Sequence, residues 1–187
     1  ERMTKLIRQL LDFARPRPPQ KSLQALLPIA ERASTLLAPM AKAAGVELRV
    51  LPSPVITHSV DENQLHQVVT NLVVNALHAT PRGGKIELSL EEVDAVAPLL
   101  AGGTAQRCAA LTVRDNGRGM DDATRIRVFE PFFSTKQVGE GTGLGLSVSW
   151  GIVREHGGWI SVDTSVDEGS AFTIYLPLGD AAAAVVV

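Results

Sequence analysis

The segment "DENQLHQVVTNLVVNALHAT", residues 61–80, limits the fold more than any other stretch. Leu65, Val68, Val69, Leu72, Val73 and Ala76 recur at three- and four-residue spacing, the stripe of a helix that must bury one side. Its neighbours indicate what covers that stripe. "VELRVLP", "KIELSLEEV" and "CAALTVRD" read as strands, as do "WISVDTSV" and "SAFTIYLPL" after them. Regular strand–helix–strand alternation fails, because the last two strands follow each other across the turn "DEG". The pattern therefore predicts an α+β chain: a two-layer α/β sandwich with one mixed, mostly antiparallel sheet covered by helices.

The remaining segments fit that plan. "LQALLPIAERASTLLAPMAKAAG" reads as a helix stopped by Gly45, with a short strand just before it. "DAVAPLLAGGTAQ" lengthens a hairpin, and a short helix follows Asp121. The opening "ERMTKLIRQLLDFARPRPPQ" carries a helical stripe from Met3 to Leu11 and is broken by Pro16, Pro18 and Pro19. It reads as the end of a preceding helical domain, and the absence of an initiator methionine fits a piece of a longer chain. The expected organisation is a helical stub and linker over 1–20, one domain over 21–180 and a tail over 181–187.

Bulk properties exclude several classes. A chain of 187 residues with 45% hydrophobic and 20% charged residues has the balance of a globular domain. Its formal net charge of −2 gives no electrostatic reason to expect a nucleic-acid partner. The single cysteine, Cys108, precludes an internal disulfide and a cysteine metal cluster. No apolar run reaches the roughly 18 residues of a membrane span.

Three stretches carry candidate chemistry. On the 61–80 helix, Gln67, Asn71, Asn75 and His78 share a face away from the apolar stripe. Asparagine is a mediocre helix former, and an amide oxygen is a hard ligand suited to Mg²⁺ that keeps phosphate and water ligands as well. In "RDNGRGM", a strand ends in a turn that presents Asp115, and Gly117 and Gly119 permit close approach to the backbone. A carboxylate there accepts a hydrogen bond from an exocyclic amine such as adenine's. In "VGEGTGLGLSVS", glycines at 139, 141, 143 and 145 run into a helix, whose free N–H groups and dipole favour an anion. Taken singly, each stretch also suits a solvated face, a plain turn or a hinge.

In order along the chain, "QVVTNLVVNALHA", "DNGRGM", "FEPFFSTK", "GEGTGLGL" and "EGSAFTIYLP" resemble the N box, first glycine box, F box, second glycine box and final glycine motif of sensor histidine kinases. Residues from about Leu23 to Leu178 resemble their catalytic and ATP-binding domain, a member of the GHKL superfamily with the Bergerat fold. The resemblance implies an ATP site between helices and sheet, under a lid spanning about Met120 to Thr142. It implies that Asn75 is the Mg²⁺ ligand, Asn71 its phosphate-side neighbour, and His78 a counterpart of a basic residue that reaches the phosphates. Lys136 would pair with phosphate from the lid. Asp115 would read adenine beside Gly117 and Gly119, with Ser170 joining it through water. Gly141, Thr142, Gly143, Leu144, Gly145 and Leu146 would wrap the triphosphate, and Phe129, Phe132 and Phe133 would anchor the lid.

Family members that hydrolyse ATP usually carry a glutamate four residues before the metal asparagine; here that residue is Asn71, which is no general base. The resemblance thus implies a histidine protein kinase that holds Mg-ATP and transfers its γ-phosphoryl group by positioning and charge neutralisation. None of the four histidines lies in an H-[ED]-x-x-[NT]-P box. The acceptor is expected on a dimerisation domain outside this chain, which alone would bind ATP without autophosphorylating. Expected partners are that domain, a second copy in a full-length homodimer, and a response regulator receiver domain. The expected location is cytoplasmic, with any membrane anchor upstream. Alternatives on the same fold are a GHKL-type ATPase, a serine-directed protein kinase, or a degenerate nucleotide-sensing module.

Overall fold

A computed structural model describes residues 18–97, 104–135 and 142–179. Its elements are β1 (Ser22–Ala25), α1 (Leu26–Ala44), β2 (Glu47–Val50), β3 (Thr57–Val60), α2 (Glu62–Ala79), β4 (Lys85–Ala95), β5 (Gln106–Asp115), α3 (Asp122–Arg127), α4 (Gly145–Glu155), β6 (Trp159–Ser165) and β7 (Gly169–Pro177). A five-stranded sheet has the order β2-β4-β5-β7-β6, and β1 and β3 form a separate antiparallel pair. Only β2 runs parallel to its neighbour, β4; the other ladders of the large sheet are antiparallel. The two-layer α+β expectation holds, with the β1–β3 ribbon as an addition to it.

The helices cover one face of the sheet. Ile86, Leu88 and Leu90 of β4, Ala109, Leu111 and Val113 of β5, and Phe172, Ile174 and Leu176 of β7 point into the core at the period of two. Against them lies the predicted stripe of α2, and all six of its residues are buried, together with Leu77. Helix α2 packs between α1 and α4 and touches β4, β5 and β7, so it is the central helix of its layer. Helix α1 ends at Gly45 in the left-handed conformation, where its N–H bonds back to Ala41 and Lys42. Cys108 is a buried free thiol, as packing alone would have it.

Candidate functional site

Alternation along β5 carries Asp115 to the same face as Ala109, Leu111 and Val113, so a row of core side chains ends in a carboxylate. The register places Ser170 of β7 opposite Asp115, and Thr164 of β6 opposite Ser170. Directly opposed residues share a face in an antiparallel ladder. Three polar side chains thus line one end of the sheet beneath the helices. Asp115 and Ser170 are each 6% exposed. Burial raises the Asp115 pKa above the ordinary carboxylate range, against the opposing pull of the backbone N–H groups of Gly117 and Ser170. The Gly117 N–H donates to Asp115 Oδ1 at 2.8 Å.

Thr164 organises the rest of this corner, and the sequence reading did not single it out. Its hydroxyl donates to the Gly169 carbonyl at 2.9 Å, accepts from the Met120 N–H at 3.0 Å, and lies 3.0 Å from Ser170 Oγ. The clue was its cross-strand position in the row of Asp115 and Ser170, which needs the register as well as the motif. The 116–120 loop is laced down on both sides. Lys85 N–H donates to Asn116 Oδ1 at 2.7 Å, Arg118 N–H donates to the Ala79 carbonyl at 3.2 Å, and Asp167 N–H donates to the Arg118 carbonyl at 2.7 Å. This lacing also explains the two glycines. A Cβ at Gly117 would sit 2.5 Å from the Ala79 oxygen, and one at Gly119 (φ 61°) would sit 1.7 Å from the Ser165 oxygen. The space that glycine leaves here is taken by the chain's own backbone.

The second group of predicted residues meets on α2 and α4. Asp61 caps α2, accepting from Asn63 N–H and Gln64 N–H. Asn71 is half-buried, and its Nδ2 donates to the Gly145 carbonyl at 3.2 Å and to Ser149 Oγ at 3.3 Å. Ser149 is fully buried and donates in turn to the Gly145 carbonyl at 2.8 Å. Asn71 therefore fastens the first turn of α4 to the middle of α2. Asn75, one turn further on, is half-buried and makes no side-chain hydrogen bond among the described residues. His78 is exposed and borders a cleft of about 360 Å³, together with Thr80, Pro81, Asn116, Gly117, Arg118 and Asp167. Asn71, Asn75 and Asp115 do not border that cleft.

At the start of α4, Leu144 is buried and no side chain caps the helix, which also has no acidic residue in its first turn. Leu146 packs against the core, and Thr142 Oγ1 accepts from the Leu144 N–H at 3.3 Å. Gly143 (φ 65°) leaves room for Phe132, whose carbonyl carbon would lie 2.4 Å from a Cβ there. Phe132 N–H donates to the Gly143 carbonyl at 3.0 Å. The three phenylalanines differ in use. Phe129 packs edge-to-face on Phe172, and Phe133 lies under the Arg127 guanidinium. Phe132 is 63% exposed, with a φ of 67°. Positive φ is costly for a bulky residue, and here it is held by the Gly143 bond. Lys136 and Gly141 lie outside the described residues.

The donor set can be tested against a metal. No cluster of three or more His, Cys, Asp or Glu gathers among the described residues, so they offer no self-sufficient cation cage. An unengaged asparagine amide suits a hard cation that takes its other ligands from phosphates and water. Among the described residues, no helix is long and apolar enough to cross a membrane.

Comparison with known proteins agrees with this geometry. The family model described as histidine kinase-, DNA gyrase B-, and HSP90-like ATPase matches residues 60–180. Sensor kinase CckA of Brucella abortus (strain 2308) is 36% identical over 183 residues, covering 94% of this chain and 19% of that protein. Full-length ShkA, solved in complex with AMPPNP, superposes with a TM-score of 0.77 at 25% identity, covering 94% of this chain and 35% of that one. The catalytic domain of histidine kinase ThkA, in a nucleotide-free form, gives a TM-score of 0.70 at 25% identity, covering 84% of this chain and 95% of that one. The chain spans 19%, 27% and 36% of the length of three curated relatives, all sensor kinases. Both the matched region, which runs from the cap of α2 through β7, and the sheet order beneath it lead to one assignment: the chain belongs to the family of histidine kinase-, DNA gyrase B- and HSP90-like ATPases.

Proposed function

We propose that this chain is the ATP-binding catalytic domain of a two-component sensor histidine kinase. The observation that carries this reading is the amide of Asn71, spent on Gly145 and Ser149 at the position where hydrolysing relatives carry a glutamate. An amide does not deprotonate water, so the site lacks the group that would make hydrolysis its main outcome. What it has instead are groups that bind and orient. The buried Asp115 carboxylate accepts from the adenine amine, within the row it shares with Ser170 and Thr164. The uncapped first turn of α4 offers its N–H groups and dipole to the phosphates, beside Asn71 and Asn75. In this reading His78 would also contact the phosphates, and so would Lys136, which lies outside the described residues. Asn75 would hold Mg²⁺, which supplies charge neutralisation on the triphosphate when bound.

Transfer then needs only an acceptor in line. An imidazole nitrogen of a histidine on the dimerisation domain attacks the γ-phosphorus. The bond to the β–γ bridging oxygen breaks, ADP leaves, and the imidazole proton passes to solvent. The phosphoryl group goes next to an aspartate of a response regulator receiver domain. A homodimer of the whole protein brings acceptor and donor together, and the ATP requirement makes the cytoplasm the working compartment. Titration of the chain with Mg-ATP, with phosphate release followed in parallel, tests this reading. Binding without appreciable release is expected; multiple turnovers of release without an acceptor would contradict it.

A further inference from the structure

In "DNGRGM" the residue between the two glycines is an arginine, and its main chain and side chain are used differently. The Arg118 N–H donates to the Ala79 carbonyl at 3.2 Å, and its carbonyl accepts from the Asp167 N–H at 2.7 Å, so the backbone is held on both sides. The side chain is exposed and enters no ion pair or hydrogen bond among the described residues. Asp167 borders the same cleft as Arg118 and leaves its guanidinium unpaired. The loop therefore keeps its shape through main-chain bonds that do not depend on the arginine side chain.

The cleft of about 360 Å³ that Arg118 borders is walled by the continuation of both halves of the proposed nucleotide site. One wall holds His78, three residues beyond Asn75 on α2, about 4.5 Å along the helix axis. The other is the 116–118 loop, which starts directly after Asp115. A ligand held by its base at Asp115 and through a metal at Asn75 passes from this loop to this end of α2. A triphosphate keeps negative charge after one Mg²⁺ is bound. Asn71, Asn75 and the first-turn N–H groups of α4 bring dipoles without a full charge, and Lys136 lies outside the described residues. Arg118 is the one lysine or arginine among the described residues that border the cleft. Its guanidinium is charged at every working pH, and its fork of N–H donors matches two phosphate oxygens at once.

We infer that Arg118 is a further nucleotide-binding residue, which grips the phosphate tail from the cleft it shares with His78. This rests on the nucleotide reading above and adds to it a permanent cation. One short turn would then serve both ends of the ligand: Asp115 takes the base, and three residues later Arg118 takes phosphate. The two contacts differ in kind. The Asp115 carboxylate is buried, whereas the Arg118 guanidinium is exposed, so salt screens its attraction for phosphate. Its contribution is confined to phosphorylated ligands and falls with ionic strength.

The test uses the whole chain as wild type, Arg118→Ala, Arg118→Gln and Arg118→Lys. Circular dichroism establishes folding, which should be unchanged because the side chain makes no hydrogen bond or ion pair among the described residues. Each protein is titrated with Mg-ATP, and with adenosine as a competitor, which keeps base and ribose and has no phosphate. Arg118→Ala and Arg118→Gln should bind Mg-ATP about tenfold more weakly, the scale of a charge-assisted hydrogen bond, and adenosine as tightly as the wild type. Arg118→Lys keeps the charge without the fork and should recover part of the loss. On raising the salt, the wild type should lose more affinity for Mg-ATP than Arg118→Gln does. Wild-type affinity for Mg-ATP in the folded alanine or glutamine variant would overturn the inference. So would an equal loss for Mg-ATP and adenosine, which would mark a distorted loop; the glutamine variant decides the matter if the alanine variant does not fold. Failure of the wild-type chain to bind Mg-ATP would instead sink the nucleotide reading.

Discussion

At the scale of single residues, Asp115 carries the sharpest consequences. Its folded pKa is raised by burial, so its ionised form works against the fold. Stability from this group is fully present below the unfolded pKa and is lost as pH rises through the raised folded value. Asp115→Asn keeps an acceptor for Gly117 and removes the buried charge. It should therefore leave the apo chain as stable as wild type or raise its melting midpoint by roughly 2–4 °C at neutral pH. Asp115→Ala should abolish nucleotide selectivity, which a site built to read the adenine amine can carry to ~10⁴ for ATP over GTP. Wild-type ATP affinity should also fall on acidification at a pH above the usual aspartate range, because the protonated carboxyl offers fewer acceptor sites. Nucleotide titrations at several pH values check both; equal binding of ATP and GTP by the wild type would contradict the role given to Asp115. Asp115 was legible from its motif. Thr164 was not, because what marks it is its pairing across two ladders and no pattern in its own strand.

At the scale of elements, the 61–79 helix was readable almost to the residue. Asp61 supplies a cap, the apolar stripe has helical period, and "TPRGG" stops it. The short strand β3 escaped notice. "THSV" has little apolar alternation, and its pairing with β1 is what makes it a strand. The bond from the Asp61 N–H to His156 Nε2, at 2.9 Å, was equally hidden, since 95 residues of chain separate its partners. Asp61 shows how much depends on that helix start. Burial alone would raise its carboxyl pKa. The N–H groups of Gln20, Gln64 and Asn63, with attraction from His156, hold it below the ordinary value. A depressed folded pKa gives stability that is present above the unfolded pKa and lost as pH falls through the folded one. Asp61→Ala should cost about 1 kcal/mol at neutral pH, the usual worth of an N-cap, and this deficit should shrink on acidification. Denaturant melts at neutral and acid pH measure it; an undiminished deficit at low pH would show that the cap's charge is not the source.

At the scale of the whole molecule, a sheet with helices on one face leaves its candidate site side chains, Asp115, Ser170 and Thr164, at one end of the sheet. Strand period and helix stripe together made the two layers legible, and the five ordered motifs pointed to the same corner. The sequence did not disclose how that corner is held. The glycines at 117 and 119 admit the chain's own backbone, Asn71 braces α4, and Phe132 takes a left-handed conformation against Gly143. Each depends on contacts between segments far apart in the chain. On the proposed reading, the site grips and aims a triphosphate and has no general base at the position of Asn71. The proposed outlet is a histidine of the dimerisation domain. The most direct measurement is incubation of the chain with γ-labelled ATP and a separately supplied dimerisation domain, followed by acid and alkali treatment of the labelled product. Label on the dimerisation domain that is lost in acid and survives alkali is predicted. Label that resists acid, or free phosphate released continuously with no label on the domain, would contradict the account.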